Sequence, residues 1–210
     1  MPEPSIQPAY RLVTNRLLIR CWDPADAPQL ETAIHHNLEH LRPWMPWVNQ
    51  EPEPLEAKIA RLRSFRSQFD RDENYIYAIY NLEGTRVLGG TGLHPRGGKG
   101  GMELGYWIDK DYINQGLATE TSAAMVKVAF EFLRVQRVEI HCDPRNFPSA
   151  AVAHKLGFTY EATLKKRLPG STGELADEMI WTLFEDDYPP SPAFNAHILA
   201  FDAAGRPLKS

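Results

Sequence analysis

The sequence predicts an α+β fold in three layers: a mixed, mostly antiparallel sheet of about seven strands with helices on both faces. Three observations carry this. Strand-like runs at 75–81, 86–94 and 102–109 follow one another through short connections, which makes them antiparallel neighbours. A long helical run then separates the last of them from an apolar strand at 137–142, and a strand, a crossing helix and a strand imply a parallel pair. Finally, the 17 prolines crowd the ends: nine lie in residues 1–54 and four in 189–210, which leaves four for the stretch from Leu55 to Tyr188. Proline removes a backbone donor and breaks both ladders, so that middle stretch is where uninterrupted helix and sheet belong.

The first strand is expected at Leu12–Cys21, where Leu17, Leu18 and Ile19 sit between Arg16 and Arg20. Asp23 then caps a helix with Pro24 at its first position, and Leu30, Ala33, Ile34 and Leu38 share a face. Pro43 and Pro46 end it and isolate Trp44, Met45 and Trp47 in a stiff loop. A second helix follows from Leu55 to about Phe69, with Leu55, Ile59, Leu62, Phe65 and Phe69 at steps of three and four. After the three hairpin-linked strands, joined by the turn 81–85 and the RGGKGG loop of 96–101, a long helix begins near Gly116. Leu117, Thr121, Met125, Val128 and Phe132 form its inner stripe. Beyond the strand 137–142, a shorter helix spans about Pro148–Leu156 and stops at Gly157, a residue suited to a left-handed position. Two last strands, Phe158–Leu164 and Leu175–Phe184, flank the loop Pro169–Gly173. The alternation in AHILAFDAAGRPL is that of strand, turn and strand, so residues 185–210 read as an extension carrying a hairpin, appended to a domain of residues 1–184.

Composition excludes several classes. With 43% apolar and 24% charged residues the chain is an ordinary globular protein, neither disordered nor disulfide-dense. No window approaches 18 consecutive apolar residues and no signal peptide is evident, so no membrane partner is expected. Cys21 and Cys142 match no metal spacing and read as buried free thiols of a reducing cytoplasm. A net charge of −4 argues against nucleic acid as a partner. Half of that charge belongs to the tail, where residues 185–210 hold four acids and two bases.

Two segments carry chemistry. In DKDYINQGLATE, residues 109–120, a strand leads through a turn at Gly116 into a helix whose first turn holds the small Ala118 and Thr119. The free N–H groups of such a helix start form a phosphate cradle, although an ordinary turn capped by Asn114 would look the same. In HCDPRNFPSAAVAHKLGF, residues 141–158, Asn146 and Ser149 flank the start of the short helix, where capping alone would account for them. Gly90-Thr91-Gly92 does not make a dinucleotide fingerprint, because Pro95 and a further strand stand where its helix should run. There is no Walker-type loop; the glycines instead mark a bulge or a close backbone approach.

Taken together, NRLLIR (15–20), ELGYWID (103–109), NQGLATE (114–120) and DPRNFPSAAVAHKLGF (143–158), with the LRPWMPW run (41–47), resemble the GNAT acyltransferase superfamily in its RimJ/RimL-type branch. The resemblance covers about Leu12 to Phe184. It implies a splayed central parallel pair with acetyl-CoA in the gap and no metal. Backbone groups of Tyr106, Trp107 and Ile108 would pair with the pantetheine arm. The N–H groups of Gln115, Gly116, Leu117, Ala118 and Thr119 would hold the pyrophosphate, Asn146 would hydrogen-bond the arm, and Ser149 would sit near the sulfur. Two departures stand out: Ile113 occupies the usual place of an Arg or Gln, and Ala153 that of a tyrosine acid. Ser149 or water must then protonate the leaving thiolate, if its pKa near ~8.5 requires it.

For the base, Glu103 is the candidate. It shares a strand face with Gly105 and Trp107, and the missing side chain of Gly105 leaves room for a substrate beside it. An exposed surface carboxylate is the bland alternative. Trp44, Met45, Trp47 and His40 would wall an acceptor site, unless the indoles merely plug the end of the core. His36 and His40 have helical i, i+4 spacing but no evident third ligand, so no metal is expected, and Tyr75, Tyr77 and Tyr80 read as sheet packing. The expected activity is acetyl transfer from acetyl-CoA to a primary amine, a peptide N-terminus or a small molecule, by direct attack in a ternary complex. Succinyl-CoA or another acyl-CoA as donor is one alternative. The other is a non-catalytic CoA-binding module that forms a homodimer through its tail strand.

Overall fold

In β2 (Leu17–Cys21) Leu17, Ile19 and Cys21 are buried while Leu18 and Arg20 face the other side, so the strand contributes to a core on each face of its sheet. The same holds across the molecule. The computed structural model describes residues 6–96, 98–169 and 174–209. Besides β2 its strands are β1 (Arg11–Val13), β3 (Tyr75–Asn81), β4 (Val87–His94), β5 (Gly101–Ile108), β6 (Arg137–Cys142), β7 (Thr159–Pro169), β8 (Leu175–Phe184) and β9 (Leu199–Phe201). They form one sheet in the order β7-β8-β6-β5-β4-β3-β2-β1-β9, antiparallel throughout except for β5 and β6. The helices are α1 (Ala27–Leu41), α2 (Leu55–Asp70), α3 (Leu117–Glu131) and α4 (Phe147–Lys155).

The sheet thus has nine strands rather than about seven, for two local reasons. The expected strand Leu12–Cys21 breaks at Thr14, whose N–H donates to Leu17 O at 2.9 Å and whose Oγ1 accepts the Leu17 N–H at 3.0 Å. That turn folds β1 back onto β2, with Arg11 opposite Arg20. The tail supplies the other strand: β9 adds to the outer side of β1. Its expected hairpin partner shrinks to a single bridge between Phe201 and Pro207, because Asp202 Oδ1 accepts the N–H groups of Ala204 and Arg206 in a tight turn. Strand β7 runs to Pro169, beyond the expected Leu164, and the loop expected after it lies outside the described residues, as does Gly97 of the loop before β5.

On one face α3 and α4 cover Leu12, Ile19, Tyr77, Leu93, Leu104, Val138 and Ile140 with Met125, Val128 and Phe132. On the other, α1 and α2 cover Ala78, Tyr80 and Val87 with Leu30, Ile34 and Leu62. Tyr75, Tyr77 and Tyr80 are all buried; Tyr77 satisfies its hydroxyl on Ala9 O at 3.0 Å, and Tyr80 accepts from Arg20 Nη2 at 3.0 Å. Each buried side chain of this size contributes about 1.5–3 kcal/mol. Arg20 also forms a two-armed pair with Asp26 at 2.8 and 2.7 Å, which ties the 3-10 turn Pro24–Asp26 and thus the start of α1 to the sheet. Asp23 caps that turn as the sequence implies.

Gly89 and Gly90 mark a close approach. A Cβ on Gly89 would stand 2.1 Å from Trp107 O, and one on Gly90 would stand 2.7 Å from the Trp107 indole nitrogen. Gly105, by contrast, borders open space, with only His94 within 4 Å of an added Cβ. Gly89→Ala is therefore expected to lose about 1–3 kcal/mol by overpacking, whereas Gly105→Ala should hold its denaturation midpoint close to that of the parent. Parallel urea titrations measure both.

Candidate active site

Strands β5 and β6 pair in parallel over Gly101, Met102 and Glu103 against Arg137, Val138 and Glu139, and then part. Beyond that point β5 is held only by β4, through Ile108, and β6 only by β8, through Cys142. The inward backbone groups of Leu104–Ile108 are left without a strand partner. Buried backbone groups require one, so the gap is a place for an extended polar chain. Tyr106, Trp107 and Ile108 lie along it, as the sequence implied.

Helix α3 starts at the end of β5. Gly116, at φ 80° and ψ 4°, is its N-cap and supplies no side chain, so no side-chain cap covers the first N–H groups. Asn114 is not the cap; it occupies a left-handed turn at φ 59°. Leu117, Ala118 and Thr119 thus present free donors at the positive end of a helix, and Gln115 and Gly116 form the turn below them. Sequence reasoning missed Arg16 here. Its Nη1 donates to Gln115 O at 2.8 Å and its Nε to Glu120 Oε2 at 2.6 Å, so the β1–β2 turn pins the cradle in place. Ile113, at the site of the usual polar residue, is exposed.

Asn146 caps α4, accepting the Ser149 N–H on Oδ1 at 3.2 Å. Its Nδ2 has no partner among the described residues, which leaves an amide donor at the mouth of the gap. Ser149 Oγ lies 3.1 Å from Tyr106 OH, so a side chain of β5 reaches across to α4. Burial pushes the Tyr106 hydroxyl up to about 12, against the contrary effect of the Ser149 bond, and it stays protonated at neutral pH. The sequence suggested only a backbone part for Tyr106; the hydroxyl became visible once the splay brought it to Ser149. Ala153, where an acid was missing, is buried in the core.

On the opposite face stand Glu103 and its neighbours. Glu103 is one-fifth exposed and meets Arg96 Nη1 at 3.4 Å. Across the last paired rung is Glu139, held by Arg137 Nε at 2.7 Å and by His141 Nε2 at 2.9 Å. His141 Nδ1 lies 3.1 Å from Glu178. Burial works against the charge on His141, but Glu139, Glu103 and Glu178 outweigh it and raise its pKa. His94, directly opposite Glu103 on β4, behaves in the contrary way: burial, helped by the charge of Arg96, lowers its pKa to about 4.

The loop that the sequence suggested as an acceptor wall packs between α1 and α2. Trp44, Met45, Trp47 and His40 are each half-buried, and Trp47 packs on the α1–α2 core. A fully buried Lys58 anchors the loop, bonding Glu51 Oε2 at 2.8 Å and Glu53 O at 2.9 Å. His35 and His36 are exposed on α1, and His36 rather than the His36/His40 pair finds partners: Asp111 Oδ2 at 2.9 Å and Asp109 Oδ1 at 3.8 Å. Arg86 lies against the same two carboxylates, at 3.3 and 3.6 Å, so the cluster already forms an ion-pair network. Cys21 and Cys142 are free and buried, and no helix among the described residues is long and apolar enough to cross a membrane.

A sheet split at its parallel pair, with a bare helix N-terminus at the split, is the arrangement that the resemblance to coenzyme A-dependent acyltransferases implies, and comparison with known proteins agrees. The family model of the acetyltransferase (GNAT) domain matches residues 16–159. The [ribosomal protein uS5]-alanine N-acetyltransferase of Escherichia coli (strain K12) is 26% identical over 194 residues, covering 87% of this chain and 95% of that one. The "probable N-acetyltransferase YjcK" of Bacillus subtilis (strain 168) is 29% identical over 116 residues, 54% of this chain and 64% of that one. Among solved structures, RimL, a ribosomal L7/L12 α-N-protein acetyltransferase in complex with coenzyme A, superposes with a TM-score of 0.75 over 87% of this chain and 99% of its own at 22% identity. The chain belongs to the GNAT acetyltransferase family.

The two imidazoles flanking Glu103 should titrate in opposite senses. In an NMR titration His141 is expected to hold its proton above the ordinary 6.5, and His94 to remain neutral down to about pH 4.

Proposed function

We propose that the chain transfers an acetyl group from acetyl-CoA to a primary amine, with a peptide α-amine as the favoured acceptor, by direct attack in a ternary complex. The observation that carries this reading is the division of β5 between two faces: Tyr106 points to Ser149 and α4, while Glu103 and Gly105 face the α1–α2 side. One strand thereby serves donor and acceptor. Bound acetyl-CoA would supply a thioester with a fair leaving group. The unpaired edge of Tyr106–Ile108, the N–H groups at Gln115–Thr119 and the free amide of Asn146 would hold it.

Glu103 would draw in the ammonium form of the acceptor and, through a water, take the proton that the amine sheds. An α-amine titrates near ~7.7–8.0 and a lysine near ~10.4, so an α-amine asks less of this carboxylate. Ser149, backed by the protonated Tyr106 hydroxyl, would donate a hydrogen bond where the sulfur leaves. Trp44, Met45, Trp47 and His40 would wall the acceptor. The uS5-alanine enzyme and RimL, by their names, modify protein N-termini, which supports a peptide acceptor. Two buried thiols suit a reducing cytoplasm, and residues 185–210 would serve as an extension that closes the β1 edge.

The test is thiol release from acetyl-CoA and succinyl-CoA over a panel of Ala- and Ser-initiated peptides, spermidine and an aminoglycoside, with products read by mass spectrometry. Acetylation of a peptide N-terminus is expected; CoA binding without turnover on any amine would sink the proposal in favour of a binding module. Glu103→Gln should lower kcat by about 10²-fold with the Kd for CoA held within twofold. Unchanged turnover in that variant would remove Glu103 from the mechanism.

A further inference from the structure

His94 is held in one orientation by a chain of amides from α2. Gln68 Nε2 donates to Ser64 Oγ at 3.1 Å, and Asn74 Nδ2 donates to Gln68 Oε1 at 3.0 Å. That leaves Asn74 Oδ1 as an acceptor 2.7 Å from His94 Nδ1. With the amides in these orientations Asn74 Oδ1 can only accept, so Nδ1 carries the proton and Nε2 presents its lone pair. Among the described residues Nε2 has no partner. It lies 2.9 Å from where a Cβ on Gly92 would stand and 3.6 Å from where one on Gly105 would stand. Gly92 and Gly105 are directly paired on β4 and β5, as His94 and Glu103 are. The imidazole itself fills the space at Gly92, and its Nε2 lone pair borders the space that Gly105 leaves open, one rung pair along from Glu103 on the same face.

A neutral nitrogen acceptor and a carboxylate at one rung of two paired strands, on one face of the sheet, match a group with at least two N–H bonds and a positive charge. We propose that His94 binds the acceptor amine, taking one of its N–H bonds on Nε2 while another points toward Glu103; this rests on the reading of the protein as an amine acetyltransferase. The arrangement selects a primary amine over a hydroxyl, which has a single hydrogen to give, and once the ammonium has released one proton to solvent it orients the lone pair so formed away from both acceptors, toward the gap between β5 and β6. The imidazole does not need to take the proton. Burial and the charge of Arg96 keep it neutral; of the other charged groups on this side, Glu103 is paired with it on β5, and His141 with Glu139 lies further off on β6. Asn74 is a positioning residue: it fixes the tautomer that leaves Nε2 free.

Three measurements decide the matter. First, wild-type turnover is measured on the amine panel; a wild type inactive on every amine overturns the parent reading and not this one. Second, His94→Phe is expected to lower kcat/KM for the best amine by 10-fold or more, mainly through KM, with the Kd for CoA unchanged. His94→Gln, whose side-chain oxygen can still accept, should recover part of the loss. Equal kcat/KM in an active wild type and in His94→Phe would overturn the proposal. Third, and independent of turnover and of how the variants fold, the nitrogen-15 resonances of His94 in the wild-type CoA complex should show the Nδ1–H tautomer. The Nε2 signal should shift on adding an Ala-initiated peptide, and should not shift on adding the same peptide with its N-terminus formylated. An Nε2–H tautomer, or no shift with the free amine, would overturn the proposal.

Discussion

The layout of the candidate site depends on the rung at which β5 and β6 stop pairing. Three parallel pairs hold them together, and after Glu103 and Glu139 the two strands follow different neighbours. The separation persists because each strand is fully engaged on its outer side, β5 by six pairs to β4 and β6 by six pairs to β8. Closing the gap would require breaking one of those ladders. The crossover helix α3 must begin at the open end of β5 to reach β6, so its N-terminus falls beside the gap without further design. The start of α4 falls on the same side because it follows directly from the end of β6. A phosphate cradle, a row of unpaired backbone groups and the Asn146–Ser149 cap therefore converge as a consequence of topology.

The period of two along β5 then separates the chemistry. Tyr106 lies toward α3 and α4 and meets Ser149; Glu103, Gly105 and Trp107 lie toward α1 and α2. A register slip of one residue would exchange the two sets, and the tight contact of Gly89 and Gly90 with Trp107 opposes any such slip. On the face of β4 that carries Gly90 and Gly92, the next side chain is that of His94.

The sequence disclosed those parts of the site that are built from local patterning. Gly116 before a small-residue helix start, Asn146 three residues before Ser149, and the alternation of β5 are short-range signals. They placed the start of α3, the α4 cap and the facing of Glu103. What it withheld depends on pairing between distant segments. Nothing near Arg16 indicates that its side chain will reach Gln115 and Glu120, about a hundred positions on. His94 looks like a strand end before Pro95, and its tautomer is set by Asn74 and Gln68 from another layer. The Thr14 turn that splits the first strand competes with good β propensity on both sides, and a single hydroxyl tips the balance. The ninth strand depends on β1 having a free edge, which exists only because of that split.

The charge distribution at the closed end of the gap separates the two carboxylates in register, and it is the reason Glu103 rather than Glu139 is proposed to receive a substrate. Glu139 is almost fully buried and committed on both oxygens, one to Arg137 and one to His141. Removing either partner would leave a buried charge uncompensated, at a cost of several kcal/mol. Glu103 has one ion partner, Arg96, at 3.4 Å, and that arginine is two-thirds exposed. An exposed pair of this kind is worth about 0–1 kcal/mol, so an incoming ammonium can replace the guanidinium at little cost. His141, its pKa lowered by burial but raised on balance by Glu139, Glu103 and Glu178, stands between Glu139 and Glu178 and engages both carboxylates. The acceptor face then offers a single exchangeable negative charge beside a neutral imidazole, and that contrast, more than the total acidity of the face, would fix where an amine comes to rest.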